Sequence, residues 1–186
     1  MYMRAQRIIK RFFVIISLTA LSHSVYAHAG VKPVEEERML ISGVHHTCVI
    51  VSDMERSLEF YRDTLGMKEE VNIKYDADPV MMDLPGTKPR QHLVMLSAGN
   101  AHVELIQYLE PKGRANDRRA CDNGTMHLCF LIDDMTKVYD ELKAKGIRFH
   151  RSPDLIGEAG GDLAGWSYVY FRGPDKEILE LIQPST

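Results

Sequence analysis

The sequence predicts an α+β fold in which one small module is used twice, each copy running β-α-β-β-β. Two observations predict it. The chain repeats itself: Gly43–Met54 reads GVHHTCVIVSDM, and Gly124–Met135 reads GTMHLCFLIDDM. His46 and His127 stand 81 positions apart, as do Cys48 and Cys129, and Asp53 and Asp134. Gly66 meets Gly146 at an offset of 80, and HVELIQ (His102–Gln107) meets ILELIQ (Ile178–Gln183) at 76. Self-similarity at a nearly fixed offset marks a duplicated unit. The second observation is that both copies read as a strand, a helix, and then three strands.

Taken in order, the first strand is expected over Gly43–Val51. Ser52 or Asp53 caps a helix over Met54–Leu65, on which Leu58, Tyr61 and Leu65 recur at helical spacing and after which Gly66 ends the turn. A strand follows near Lys68–Tyr75, then a loop over Asp76–Arg90 rich in Pro, Asp and Gly. Strands near His92–Ser97 and Ala101–Tyr108, joined at Ala98–Asn100, close the copy. The second copy gives a strand at Met126–Ile132, a helix at Met135–Lys145 and a strand at Arg148–His150. A Gly-rich loop at Ser152–Gly165, a strand at Trp166–Phe171, a turn in RGPDKE and a last strand at Ile178–Gln183 complete it. The modules are placed at 41–115 and 116–186, with Glu110–Asn123 joining them.

The first thirty residues stand apart. Arg4, Arg7, Lys10 and Arg11 precede an apolar run at Phe12–Leu21, followed by small residues. A basic start, a short apolar run and an A-x-A-like end read as a secretory signal peptide over 1–27, leaving a linker over 28–40. The run is too short to span a bilayer. The expectation is therefore export to the periplasm, with no stable membrane span after processing. Loss of the four cations would take the formal net charge from −3 to about −7. No basic stripe exists, which argues against a nucleic-acid partner. Three cysteines, Cys48, Cys121 and Cys129, leave open one disulfide with a free thiol or three free thiols.

Strand parity sorts the adjacent histidines. His46 has a repeat partner in His127, whereas His45 meets Met126. Neighbours on a strand face opposite ways, so His45 is expected beside Thr47, Val49 and Val51 on the helix-covered side, in a structural role. His46 and His127 then share repeat-equivalent positions with Glu104 and Glu180. A lone histidine or glutamate in a strand is usually a structural or solvated residue. Here VELIQ and LELIQ place both carboxylates in apolar surroundings, where an ionised group needs a partner. Two imidazoles and two carboxylates suit a divalent ion such as Ni²⁺, Zn²⁺, Co²⁺, Fe²⁺ or Mn²⁺. Cys48, Cys129 and His102 fall on the same face. Tyr168 and Tyr170 share one face of a later strand, and Lys88, Arg90 and Arg118 are cations that could meet an anionic substrate.

The segments GVHHTCVIVSDMERSLEFYRDTLGMK, HVELIQYLEP, GTMHLCFLIDDM and YVYFRGPDKEILELIQP resemble the vicinal-oxygen-chelate superfamily, from Ile41 to Pro184. This superfamily includes glyoxalase I, methylmalonyl-CoA epimerase, extradiol dioxygenases and bleomycin-resistance proteins. The resemblance implies paired βαβββ modules forming a cupped mixed sheet around a metal held by His46, Glu104, His127 and Glu180. It implies, most like glyoxalase I, isomerisation of the hemithioacetal of a 2-oxoaldehyde through an enediolate. Glu180 would be the base, Glu104 its counterpart, and glutathione the co-substrate. Ile50, however, stands where bacterial glyoxalase I carries an arginine for the glutathione carboxylate. The alternatives are an Fe²⁺ extradiol-type dioxygenase using His46, His127 and Glu180, an acyl-CoA epimerase, and a non-enzymatic drug- or metal-binding member. A homodimer sharing ligands between chains and a single-chain site are both consistent with the duplication.

Overall fold

A computed structural model describes residues 40–185. The expected signal peptide and most of the linker lie outside the described residues. Both modules belong to one compact unit that begins at Ser42.

The first module contains β1 (His46–Ile50), α1 (Met54–Leu58), β2 (Lys68–Asp76), β3 (Arg90–Ala98) and β4 (Ala101–Glu110). Helical winding continues past α1 through Glu59–Thr64 with wider turns, so that Leu65 N–H donates to the Phe60 carbonyl. The second module contains β5 (His127–Leu131), α2 (Met135–Ala144), β6 (Asp154–Leu155), β7 (Ser167–Arg172) and β8 (Ile178–Gln183). Each module forms its own four-stranded mixed sheet, ordered β1-β4-β3-β2 and β5-β8-β7-β6. In each, the first strand runs parallel to the last, and the remaining pairs are antiparallel. β1 and β5 are therefore sheet edges, and the two mixed sheets are the paired βαβββ modules the sequence predicts.

The helices start where the repeat places them. Asp53 accepts from Arg56 N–H, and Asp134 accepts from Lys137 N–H, each satisfying an amide that has no intrahelical partner. A second cap comes from the far end of the module. Gln107 Oε1 accepts from Met54 N–H at 3.2 Å, and Gln183 Oε1 accepts from Met135 N–H at 2.6 Å. The repeated glutamine of ELIQ is thus a helix-capping residue that ties the last strand to the helix. Gly66 and Gly146 then follow the helical segments with φ of 82° and 91°, a conformation that a side chain disfavours.

One strand departs from the sequence expectation. Arg148–His150 makes only a single bridge, between Phe149 and Phe171, and regular pairing resumes at Asp154 and Leu155. Pro153 lies between these contacts and has no amide to offer a ladder. The Gly-rich loop also carries two short helical turns within Glu158–Leu163, separated by a kink at Gly161.

The buried residues Met54, Leu58, Tyr61, Val94, Leu96, Val103 and Leu105 belong to the same core cluster as Met135, Leu142, Val169, Phe171, Leu179 and Leu181. Polar contacts then join the modules. The turn at Gly173–Glu177 reaches across to the start of α1. Asp175 accepts from Ser52 N–H at 3.0 Å and from Arg56 at 2.7 Å, and Glu177 accepts from the Tyr61 hydroxyl at 2.5 Å. Tyr61 is fully buried. Burial and the adjacent Glu177 carboxylate hold its hydroxyl well above the usual phenol range, so it remains a donor. Tyr61→Phe removes that donor from Glu177, and the expected loss of about 1–3 kcal/mol is measured by urea unfolding.

Candidate metal centre

The site is set by the parallel ladder. On β1, His46, Cys48 and Ile50 face away from the core, and on β5 His127, Cys129 and Leu131 do the same. Cys48 lies directly across from Glu104 on β4, and Cys129 across from Glu180 on β8. Each histidine is thus a diagonal neighbour of a glutamate, close enough for a ring nitrogen to reach the carboxylate. His46 Nε2 stands 3.4 Å from Glu104 Oε2, and His127 Nε2 stands 3.1 Å from Glu180 Oε2. Glu180 is 6 % exposed.

The four expected ligands thus stand as two His–Glu pairs, one on each sheet. Among the described residues, no group of three or more His, Cys, Asp or Glu side chains comes close enough to hold a metal ion. Within each pair the spacing fits adjacent ligands of one ion: two donors about 2.1 Å from an ion, at 90–110°, lie about 3.0–3.4 Å apart.

The surroundings of the two pairs differ. His45, expected on the helix-covered side, is exposed and precedes the strand, which begins at His46. Parity does not reach a residue outside the strand. Its Nδ1 lies 2.8 Å from His46 Nδ1, so one ring must donate and the other accept. Its ring stacks on His102 at 5.2 Å, and His102 Nε2 lies 3.1 Å from Glu70. In the second module, Tyr170 takes up the supporting role. Tyr170 lies directly across from Glu180 in the β7–β8 ladder, and its ring meets the His127 ring edge-on at 5.6 Å. Desolvation and the Glu180 carboxylate push the Tyr170 hydroxyl up to about 12. Contacts of this kind fix the ring and carboxylate orientation of metal ligands. The roles of His45, Tyr170 and Glu70 were not readable from the repeat, because none of them is a shared repeat position. The adjacent His45 and His46, and the shared strand face of Tyr168 and Tyr170, were the sequence hints.

Cys48, Cys121 and Cys129 are all free thiols. Desolvation, then the neighbouring carboxylate, pushes Cys48 and Cys129 up to about 12, so both remain protonated at neutral pH. Lys88 and Arg90 line no part of the cleft between the edge strands, whereas Arg118 does.

Comparison with known proteins now gives the family. The sequence profile of the Glyoxalase/Bleomycin resistance protein/Dioxygenase superfamily matches residues 43–181. The chain belongs to this superfamily. It is 28% identical over 144 residues to 2-epi-5-epi-valiolone epimerase from Actinomyces sp., covering 75% of this chain and 78% of that protein. It is 26% identical over 141 residues to a probable lactoylglutathione lyase from Synechocystis sp., covering 76% and 95%. A glyoxalase family protein from Bacillus cereus has a similar fold, with a TM-score of 0.62 at 15% identity over 82% of this chain and 99% of that one.

The raised thiols give a direct check of the two pairs' surroundings. Iodoacetamide at pH 7.5 should alkylate Cys48 and Cys129 at least about tenfold more slowly than free cysteine, because little thiolate is present. Peptide mass mapping over time measures it, and rapid loss of either thiol would contradict the described environment.

Proposed function

We propose that the chain is a metal-dependent enzyme that removes a proton from carbon next to a carbonyl, in the manner of glyoxalase I. Its substrate carries two adjacent oxygens, such as the hemithioacetal formed by a 2-oxoaldehyde and a thiol. The observation that carries the reading is the two-fold presence of a His–Glu pair at ligand spacing, on repeat-equivalent positions. The donor set of two imidazoles and two carboxylates fits Ni²⁺, Zn²⁺, Co²⁺, Fe²⁺ or Mn²⁺. When bound, such an ion supplies Lewis-acid polarisation of the paired substrate oxygens.

The chain's own residues supply the rest. Glu180 is the base: it is buried, so its carboxylate is poorly solvated, and it lies between Cys129 and Tyr170 on the neighbouring strands. Glu104 is its counterpart in the first module. His46 and His127 are the neutral nitrogen donors, and the His45 ring fixes the orientation of His46 through Nδ1. Glutathione is the proposed thiol, and a periplasmic location is proposed from the first 27 residues.

The pairs are proposed to come together between two copies of the chain. Ile50 and Leu131 occupy equivalent positions beside the pairs and are 51% and 65% exposed. Both lie on edge strands with unpaired backbone, which invites a second copy. An epimerase reading has its own support in the 28% identity to 2-epi-5-epi-valiolone epimerase, and it uses the same proton abstraction.

The test is turnover of the methylglyoxal–glutathione hemithioacetal by protein reloaded with each ion in turn. Glu180→Gln should lower kcat by about 10²–10⁴-fold while the metal stays bound. Stoichiometric metal with no turnover would exclude the glyoxalase reading, and retained exchange of substrate hydrogen with solvent would then favour the epimerase. A mixing experiment tests the shared site. A chain carrying His46→Ala and Glu104→Ala is inactive, as is one carrying His127→Ala and Glu180→Ala. Co-refolding equal amounts should restore about a quarter of wild-type activity, because half the random dimers regain one of two sites. No restoration would place the site within one chain.

A further inference from the structure

A cavity of about 710 Å³ opens between the free edges of β1 and β5, roofed by the segment that joins the modules. It lies within the size range of small-molecule sites. Its apolar side is formed by Val49, Val51, Leu128 and Leu179. Four cations line it: Lys112, Arg114 and Arg118 from the joining segment, and Arg172 from the end of β7. Among the described residues, none of the four is ion-paired with a carboxylate.

The cavity also contains two carboxylates, Asp175 and Glu177, but their oxygens are already engaged. Asp175 uses one oxygen for Arg56 and the other for Ser52 N–H. Glu177 uses one for the Tyr61 hydroxyl and the other for Asp175 N–H. Burial pushes the Asp175 carboxyl up, but the hydrogen bonds from Ser52 and then Arg56 outweigh it and hold it below the usual carboxylate range. These four bonds fix both acidic groups in the contact between the modules. Arg172 donates one N–H to the Lys176 carbonyl, which leaves most of its guanidinium donors for a ligand. Four cations thus line the cavity against two carboxylates, one of them paired with Arg56, so its charge balance is positive in a chain whose formal net charge is −3.

We infer that this cavity binds an organic anion, with an apolar body against the strand side chains and a carboxylate or phosphate head on Arg172 and Arg118. An arginine fork suits either head group, since it presents paired donors to two oxygens. His127 also lines the cavity, so an occupant would lie beside the second His–Glu pair. Anion binding here goes beyond the proposed isomerase reading and requires no metal.

The test is calorimetric titration of the purified chain in EDTA with phenyl phosphate and with benzoate, with phenol as the uncharged control. At least one anion should bind saturably, and phenol should bind at least about tenfold more weakly. Arg172→Gln and Arg118→Gln should each weaken that anion about tenfold or more, the effect of removing one charged hydrogen-bonding partner. Arg90→Gln, outside the cavity, should leave it unchanged. Whichever anion binds more tightly identifies the head group. Absence of saturable binding by both anions, equal binding of phenol, or equal loss in Arg90→Gln would overturn the inference. EDTA removes the metal from the experiment, so failure here is distinguishable from failure of the isomerase reading.

Discussion

The parallel ladder between the first and last strands of each module is the constraint on which the rest depends. Its register sets Cys48 opposite Glu104 and Cys129 opposite Glu180, and thereby puts each histidine within reach of a carboxylate. A slip of one residue would send every side chain of the strand to the other face. The glutamates would then enter the helix-covered core without a partner, at the cost of burying an unpaired charge. The same strands carry Gln107 and Gln183, three residues beyond each glutamate and on the opposite face, where they cap the helices. One register thus fixes both the polar pair on the open face and the helix on the closed one. A parallel pair needs a long crossover, and the helix and two intervening strands provide it.

The duplicated design is symmetric in its ladders and asymmetric in its connections. The turn at Gly173–Glu177 grips the start of α1 through Ser52, Arg56 and Tyr61. That grip occupies the acceptor oxygens of both acidic side chains of the turn, while the cavity's basic side chains keep free donors. The supports of the two pairs diverge in the same way. His46 rests against His45, whereas His127 rests against Tyr170, which also lies across from Glu180. Divergence of the neighbours thus leaves two copies of one His–Glu pair in different surroundings, with Glu180 the more deeply buried carboxylate.

Much of this was legible in the residues, and the exceptions have physical causes. The helix starts at Asp53 and Asp134 were visible because capping is local chemistry of one side chain and a nearby amide. The last strand, Ile178–Gln183, and its repeat counterpart were visible because both the alternation and the duplication point to them. The second strand of the second module was misplaced, since Pro153 interrupts the ladder and moves regular pairing to Asp154 and Leu155. His45 was misjudged because parity holds only inside a strand, and the strand starts one residue later. Gln107 and Gln183 were visible as repeats but not as caps, because their partners lie 53 and 48 residues away in the chain.

The sequence by itself determined the module, its duplication, the faces of its strands and the four repeat-related His and Glu positions. Each follows from short-range periodicity or from self-similarity, which a linear string records completely. Only the tertiary structure decided that the four residues stand as two separate pairs, that the modules form two sheets, and that a cationic cavity opens between their edges. Those outcomes depend on how one module packs against the other. That packing is set by contacts between residues more than a hundred positions apart, such as Tyr61 with Glu177, which no local pattern encodes.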